Sequence, residues 1–288
     1  MDTAIHTRAL LASVSISSWT ARKLDKAVTN KVHADYQASG KSGRYNKNLL
    51  PGDCPEYAAL KTRVSTIRNG FYERTLPWTD DNRRLLPTDN FMHFSDWFRE
   101  QSRLFAAELD AFVAVYPSAR ALAQSLMPNG LYKDADYPSD ADVRKRFALS
   151  VSYDPIPAQG DIRVSLADDT IATLEQAIGD RLTAATETAM ADAWKRLHEV
   201  TARMAERLND PKAVFRDSLV DNVRDCVDML KRLNVTGDPD LERMRADVAD
   251  KLTQHSPETL RESDATRADV AAKANAILAS MAGIYGGR

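Results

Sequence analysis

The sequence predicts a mainly α-helical protein carrying a small antiparallel β-sheet and a long antiparallel helical hairpin, and three observations predict it. Apolar residues recur every three or four positions through most of the chain; a few short stretches alternate apolar and polar residues instead; and the run Asp168 to Asn209 carries one near-heptad apolar seam with no proline in it. The 288 residues are 43% hydrophobic and 28% charged. That balance belongs to a chain that folds around its own core, not to a disordered one.

Residues 11 to 17 place Ala12, Val14 and Ile16 on one side and Ser13, Ser15 and Ser17 on the other, the period of a half-buried strand. From Thr20 the spacing turns helical through Leu24, Val28 and Val32, until Ser39-Gly40-Lys41-Ser42-Gly43 breaks it. A helix over about 55 to 75 begins with Pro55 in its first turn and carries Tyr57, Leu60, Val64, Ile67 and Phe71. Leu76-Pro77-Trp78 ends it, and the stretch to Asn90 reads as a connection.

Phe94 to Val115 resumes a helix with Trp97, Phe98, Leu104, Phe105, Leu109 and Phe112 on its apolar face, closed by Pro117. Short helical pieces follow to residue 146. Phe147, Leu149, Val151 and Tyr153 then alternate with polar or small residues, as do Ile162, Val164 and Leu166 after a Pro- and Gly-containing loop. With residues 11 to 17, strands over 147 to 154 and 161 to 166 make a three-stranded sheet.

A helix from Asp168 to Asn209 could span ~60 Å at 1.5 Å per residue. Asp210-Pro211 reads as a cap and first turn for the next helix, whose stripe runs Val214, Phe215, Leu219, Val223, Val227, Leu230 and Leu233. So short a link folds the two back as a coiled-coil-like αα-hairpin. Gly237-Asp238-Pro239 and Ser256-Pro257 repeat the stop-and-start pattern for two final helices. The expected organisation is therefore a mixed body over 1–167 and a helical hairpin with C-terminal helices over 168–288.

Several function classes find no support. There is no apolar run of transmembrane length and no leader-like start, and the two cysteines, Cys54 and Cys226, lie far apart, which points to reduced thiols in a cytoplasm. Gly40-Lys41-Ser42 resembles the end of a phosphate-binding loop, but Asp35 stands where that loop needs glycine, and the segment before it is helical. His6, His33, His93, His198 and His255 are scattered, Asp80-Asp81 and Asp168-Asp169 are paired only in sequence, and no serine has a nucleophile elbow around it. No catalytic, cofactor-binding or metal-binding residue is assigned.

Charge is uneven. Residues 1 to 75 carry 12 Lys and Arg against 6 Asp and Glu, a net of +6, which leaves −8 for the remainder. The basic loop at 39 to 48 therefore offers Lys41, Arg44, Tyr45 and Lys47 as residues that could touch nucleic acid. The turn of the long hairpin offers Met204 and Leu208 as an association surface for a protein partner or a second copy.

The order of features adds a resemblance. The entry segment Val14-Ser-Ile-Ser-Ser-Trp-Thr-Ala-Arg-Lys-Leu24, helical middle segments, Tyr137 and the run Val143-Arg-Lys-Arg-Phe-Ala-Leu-Ser-Val-Ser-Tyr153 resemble a family of phage and prophage proteins known only as a domain of unknown function. The likeness covers roughly residues 9 to 235 and leaves the loop at 39 to 48 outside it. Members of that family are often encoded beside a MoxR-type AAA+ ATPase and a von Willebrand A-type protein. The resemblance implies a non-enzymatic accessory or adaptor, in the cytoplasm of an infected bacterial host, that binds other proteins through its long helices. The alternative is a DNA-binding or recombination-associated phage protein that uses the basic N-terminal part, and a third is an enzyme with a dispersed site.

Overall fold

The computed structural model describes residues 5–79, 82–158, 160, 167–210 and 213–285. The chain is mainly helical with a four-stranded antiparallel sheet and a separate two-stranded one. It divides into two compact units, each assembled from non-contiguous segments. Met1–Ser13, Phe71–Ser95 and Ser152–Arg288 form the bundle unit; Val14–Gly70 and Asp96–Val151 form the inserted unit.

This corrects the boundary expected at residue 167. Segments from the N-terminal half belong with the C-terminal helices because they share one core: Ile5, Leu11, Leu76 and Leu85 are buried together with Trp194 and Leu197. Arg196 adds a polar tie, donating to the carbonyls of Glu73 at 2.7 Å, Tyr72 at 3.0 Å and Thr75 at 2.8 Å.

The sheet begins with α1 (Ile5–Arg8) leading into β1 (Ala9–Ser17). β1 pairs antiparallel with β5 (Arg84–Pro87) from Ala9 opposite Pro87 to Ala12 opposite Arg84, and β5 pairs with β4 (Leu76–Pro77). The fourth strand, β6 (Ala148–Pro155), completes the order β4-β5-β1-β6. The strands at 11–17 and 147–154 were legible; β4 and β5 were not, because Leu76-Pro77 and Arg84-Leu-Leu-Pro87 are too short and proline-bounded to show a period. The expected strand at 161–166 lies outside the described residues.

In the inserted unit, Arg22–Leu24 (β2) pairs with Asn46–Asn48 (β3), and Lys26–Asp35 (α2) lies between them in sequence. The helix expected from Thr20 therefore starts six residues later, where the Asp25 carboxylate accepts from the Val28 N–H at 3.1 Å and caps it. Pro55–Glu73 (α3) and Thr88–Leu126 (α4) then contribute Leu60, Ile67, Phe105, Leu109, Phe112 and Tyr116 to one buried cluster.

α4 runs straight through Pro117, against the expectation that it stops there. An internal proline costs about 3 kcal/mol, yet the stripe Phe105, Leu109, Phe112, Tyr116 and Ala123 stays buried on both sides of it. Each large side chain so buried contributes about 1.5–3 kcal/mol, so breaking the helix would cost more than keeping the missing hydrogen bond.

The bundle unit is built on Asp168–Asn209 (α5), with Ser218–Leu233 (α6), Pro239–Leu252 (α7), Pro257–Glu262 (α8) and Asp264–Tyr285 (α9). α5 has the predicted bounds and packs against α9 as well as α6, so the expected two-helix hairpin is part of a larger bundle. α6 starts at Ser218, not at Pro211; Phe215 is instead buried in the link, with the Arg267 guanidinium 5.4 Å from its ring. Arg267 also donates to the carbonyls of Leu208, Arg207 and Asp210, closing the C-terminus of α5 with a cation. Asp238 caps α7 through the N–H groups of Asp240 at 2.9 Å and Leu241 at 3.2 Å. The last expected helix is two, because Ser263 is extended and its hydroxyl accepts from Thr266 N at 3.2 Å, restarting the chain as α9.

Candidate functional site

The four residues expected to form a basic finger separate. Lys41, Arg44 and Tyr45 are exposed, between α2 and β3. Lys47 is 2% exposed, and its ammonium lies 3.4 Å from Asp25 Oδ2, 2.5 Å from Asp136 Oδ2 and 2.8 Å from the Leu131 carbonyl. Lys23 meets the other oxygen of Asp136 at 2.8 Å. Lys47 is thus a buried pin and is removed from the finger. The cause is β3 itself: in Asn46-Lys47-Asn48 the strand alternation turns the middle side chain inward.

The electrostatics of the pin fit this. The Asp25 carboxylate is held below its ordinary range by the Val28 N–H, with burial opposing and Lys47 adding. For Asp136 burial pushes upward, and the hydrogen bonds from Lys23 and Lys47 outweigh it, so its pKa also lies low. Both carboxylates are charged at neutral pH, and the pin is a closed ionic cluster.

Met204 and Leu208, expected at a projecting tip, are 0% and 3% exposed and lie in the bundle core. The uncovered end of α5 is the opposite one. Its buried residues begin at Ala185, while Ile171, Ile178 and Leu182 are half-buried and Leu174 is 39% exposed. These four recur at i, i+3, i+7 and i+11, which places them on one stripe along the residues preceding the buried half. Asp168 and Glu175 flank that stripe, and residues 168–184 hold four acids against Arg181 alone.

A cleft of about 790 Å³ in the bundle unit is lined by the end of α3, α5 and α6. Many of its charges are matched, Arg196 with Asp192 at 2.7 Å, Arg232 with Asp228 at 3.0 Å and Lys195 with Glu199 at 3.9 Å, and Arg203 and Asp225 line it as well. Cys226 lies in it, and burial pushes its thiol up to about 11, so it is not a thiolate at neutral pH. Ion pairs dominate the lining.

Among the described residues no three His, Cys, Asp or Glu are grouped as metal ligands, and no helix is long and apolar enough to cross a membrane. Comparisons with protein-family models, with curated proteins and with solved structures find no match.

Proposed function

We propose that the chain is a non-enzymatic accessory protein that binds a protein partner through the leading half of α5. The observation that carries this is the break in burial along one helix: the apolar stripe is continuous from Ile171 to Leu208, but it is buried only from Ala185 onward. Leaving Ile171, Leu174, Ile178 and Leu182 partly in water forgoes the ~25 cal/mol per Å² that burying them would contribute. The acids beside the stripe define the occupant: an apolar surface with a basic rim on another protein. The resemblance to the phage and prophage family makes a MoxR-type AAA+ ATPase and a von Willebrand A-type protein the first partners to try.

The test titrates wild type and the double variant Leu174→Asp, Ile178→Asp against each of those two proteins, with light scattering and circular dichroism alongside. The variant should keep its helicity and lose at least about tenfold in affinity, or about 1.4 kcal/mol. Unchanged binding would remove the stripe from the interface. A wild-type dimer that becomes monomeric in the variant would assign the stripe to a second copy and overturn the partner reading.

A further inference from the structure

We infer that a hollow of about 310 Å³ on the inserted unit binds a nucleotide through its phosphate, taken either as a free mononucleotide or as one unit of a single strand. It is independent of the α5 stripe. One wall is a single face of α3, where Tyr57, Lys61, Ser65 and Arg68 follow at steps of four, four and three; the facing rim is the segment Ser18 to Arg22 that leaves β1.

The charge of the hollow is one-sided. Arg22, Lys61 and Arg68 line it, and no acidic residue does. Several other cations of the same unit pair with carboxylates, Lys23 and Lys47 with Asp136, Arg63 with Glu108, Arg120 with Asp134, Arg144 with Asp110 and Lys145 with Asp142. Among the described residues Arg22, Lys61 and Arg68 have no such partner. Three unpaired cations above an apolar floor that includes Leu60, Val64 and Phe147 concentrate positive potential at one place. That arrangement calls for a multiply charged anion, and the hydroxyls of Ser18 and Thr20 add donors of the kind that phosphate oxygens accept.

Two further observations extend the ligand beyond inorganic phosphate. Trp19 on the rim is half-exposed, while its ring is set edge-on against Tyr57 at 6.3 Å and Tyr116 at 5.7 Å, and the Tyr57 hydroxyl donates to the Trp19 carbonyl at 2.9 Å. A held indole beside a cationic hollow is the pairing that takes a base next to its phosphate. Ala21, between Thr20 and Arg22, is fully buried and left-handed at φ 50, with its carbonyl accepting from Leu49 N at 2.7 Å. A strained alanine persists only where its surroundings enforce it, and here it fixes the rim that carries Trp19 and Arg22. The volume suits one nucleotide and not a duplex.

The experiment measures binding of AMP by calorimetry, and of a labelled 12-mer of deoxythymidylate and its duplex with deoxyadenylate by fluorescence anisotropy, between 50 and 200 mM salt. Wild type is compared with the Arg22→Gln, Lys61→Gln, Arg68→Gln triple variant, and with Lys41→Ala, Arg44→Ala as control. Affinity for AMP or the single strand should fall at least tenfold in the triple variant, with a flatter salt dependence, and stay unchanged in the control. AMP binding comparable with the strand identifies a free nucleotide as the source, and strand binding with weak AMP binding identifies a nucleic-acid unit. Lys61→Glu alone, an exposed substitution on a helix, should give the same direction if the triple variant fails to fold. Wild type that binds neither AMP nor the single strand, a loss confined to the control, or a stronger duplex than single-strand signal would each overturn the site.

Discussion

At the residue scale, three oxygens surround the Lys47 ammonium, two from Asp25 and Asp136 and one from the Leu131 carbonyl. Removing a buried cation leaves its carboxylates facing each other without water, so Lys47→Ala should destabilise the protein by about 3–5 kcal/mol. Lys41→Ala, on the exposed loop, should stay within about 0.5 kcal/mol of wild type. Urea midpoints of the two variants check this. The pH dependence has a definite sign. Because Asp136 is held low in the folded chain, its contribution is fully present above the ordinary carboxylate pKa of about 3.9 and is lost as pH falls through the lowered value. With Lys47 gone, burial of Asp136 is opposed by Lys23 alone and its folded-state pKa rises, so the stability gap between Lys47→Ala and wild type should narrow as pH falls below about 3.9. None of this was legible in Asn46-Lys47-Asn48, which reads as a solvated loop. The partners that bury Lys47 lie at positions 25, 131 and 136, and local composition carries no trace of them.

At the element scale, α5 shows what periodicity gives and withholds. Its ends at Asp168 and Asn209 follow from a proline-free run with acids in the first turn, and the seam follows from its spacing. Which half of the seam is covered depends on where α6, α7 and α9 lie, and Ile171 to Leu182 look as apolar in sequence as Leu197 to Leu208. Met204→Asp and Leu208→Asp should therefore each cost several kcal/mol, by placing a charge in the core, whereas Leu174→Asp should cost less than about 1 kcal/mol. Thermal melts compared with circular dichroism separate the two groups. The α3–α4 pair has its own close point at Gly70, where a Cβ would stand 2.3 Å from Cζ2 of the Trp97 indole. Gly70→Ala should cost about 1–3 kcal/mol, since a packed ring can move only by disturbing its neighbours. Leu122 and Leu126 near Gly52 are flexible ends that could shift, so Gly52→Ala should cost less.

At the scale of the whole molecule, the two units keep the charge asymmetry that a cut of the linear sequence at residue 75 shows. The inserted unit holds 17 Lys and Arg against 12 Asp and Glu, a net of +5, and the bundle unit 22 against 29, a net of −7. The mainly helical class with a small sheet was legible because long-period and period-2 stretches are both local signals. The division into units was not, because it depends on Leu76, Leu85 and the β1–β5 ladder joining a core whose helices begin only at Asp168. The hollow lined by Arg22, Lys61 and Arg68 was not legible for the same reason, its walls being about 40 residues apart in sequence.

In the bundle unit the two halves of α5 differ in burial, and amide hydrogen exchange of the protein alone measures that difference directly. Local opening is easy where few apolar contacts hold a segment and approaches global unfolding in a core. Amides over residues 172–184 should exchange far faster than those over 189–208 in the protein alone, and should slow on addition of the bound partner. Equal protection along the whole of α5 in the isolated monomer would contradict the claim, since the leading stripe would then already be covered by the chain itself.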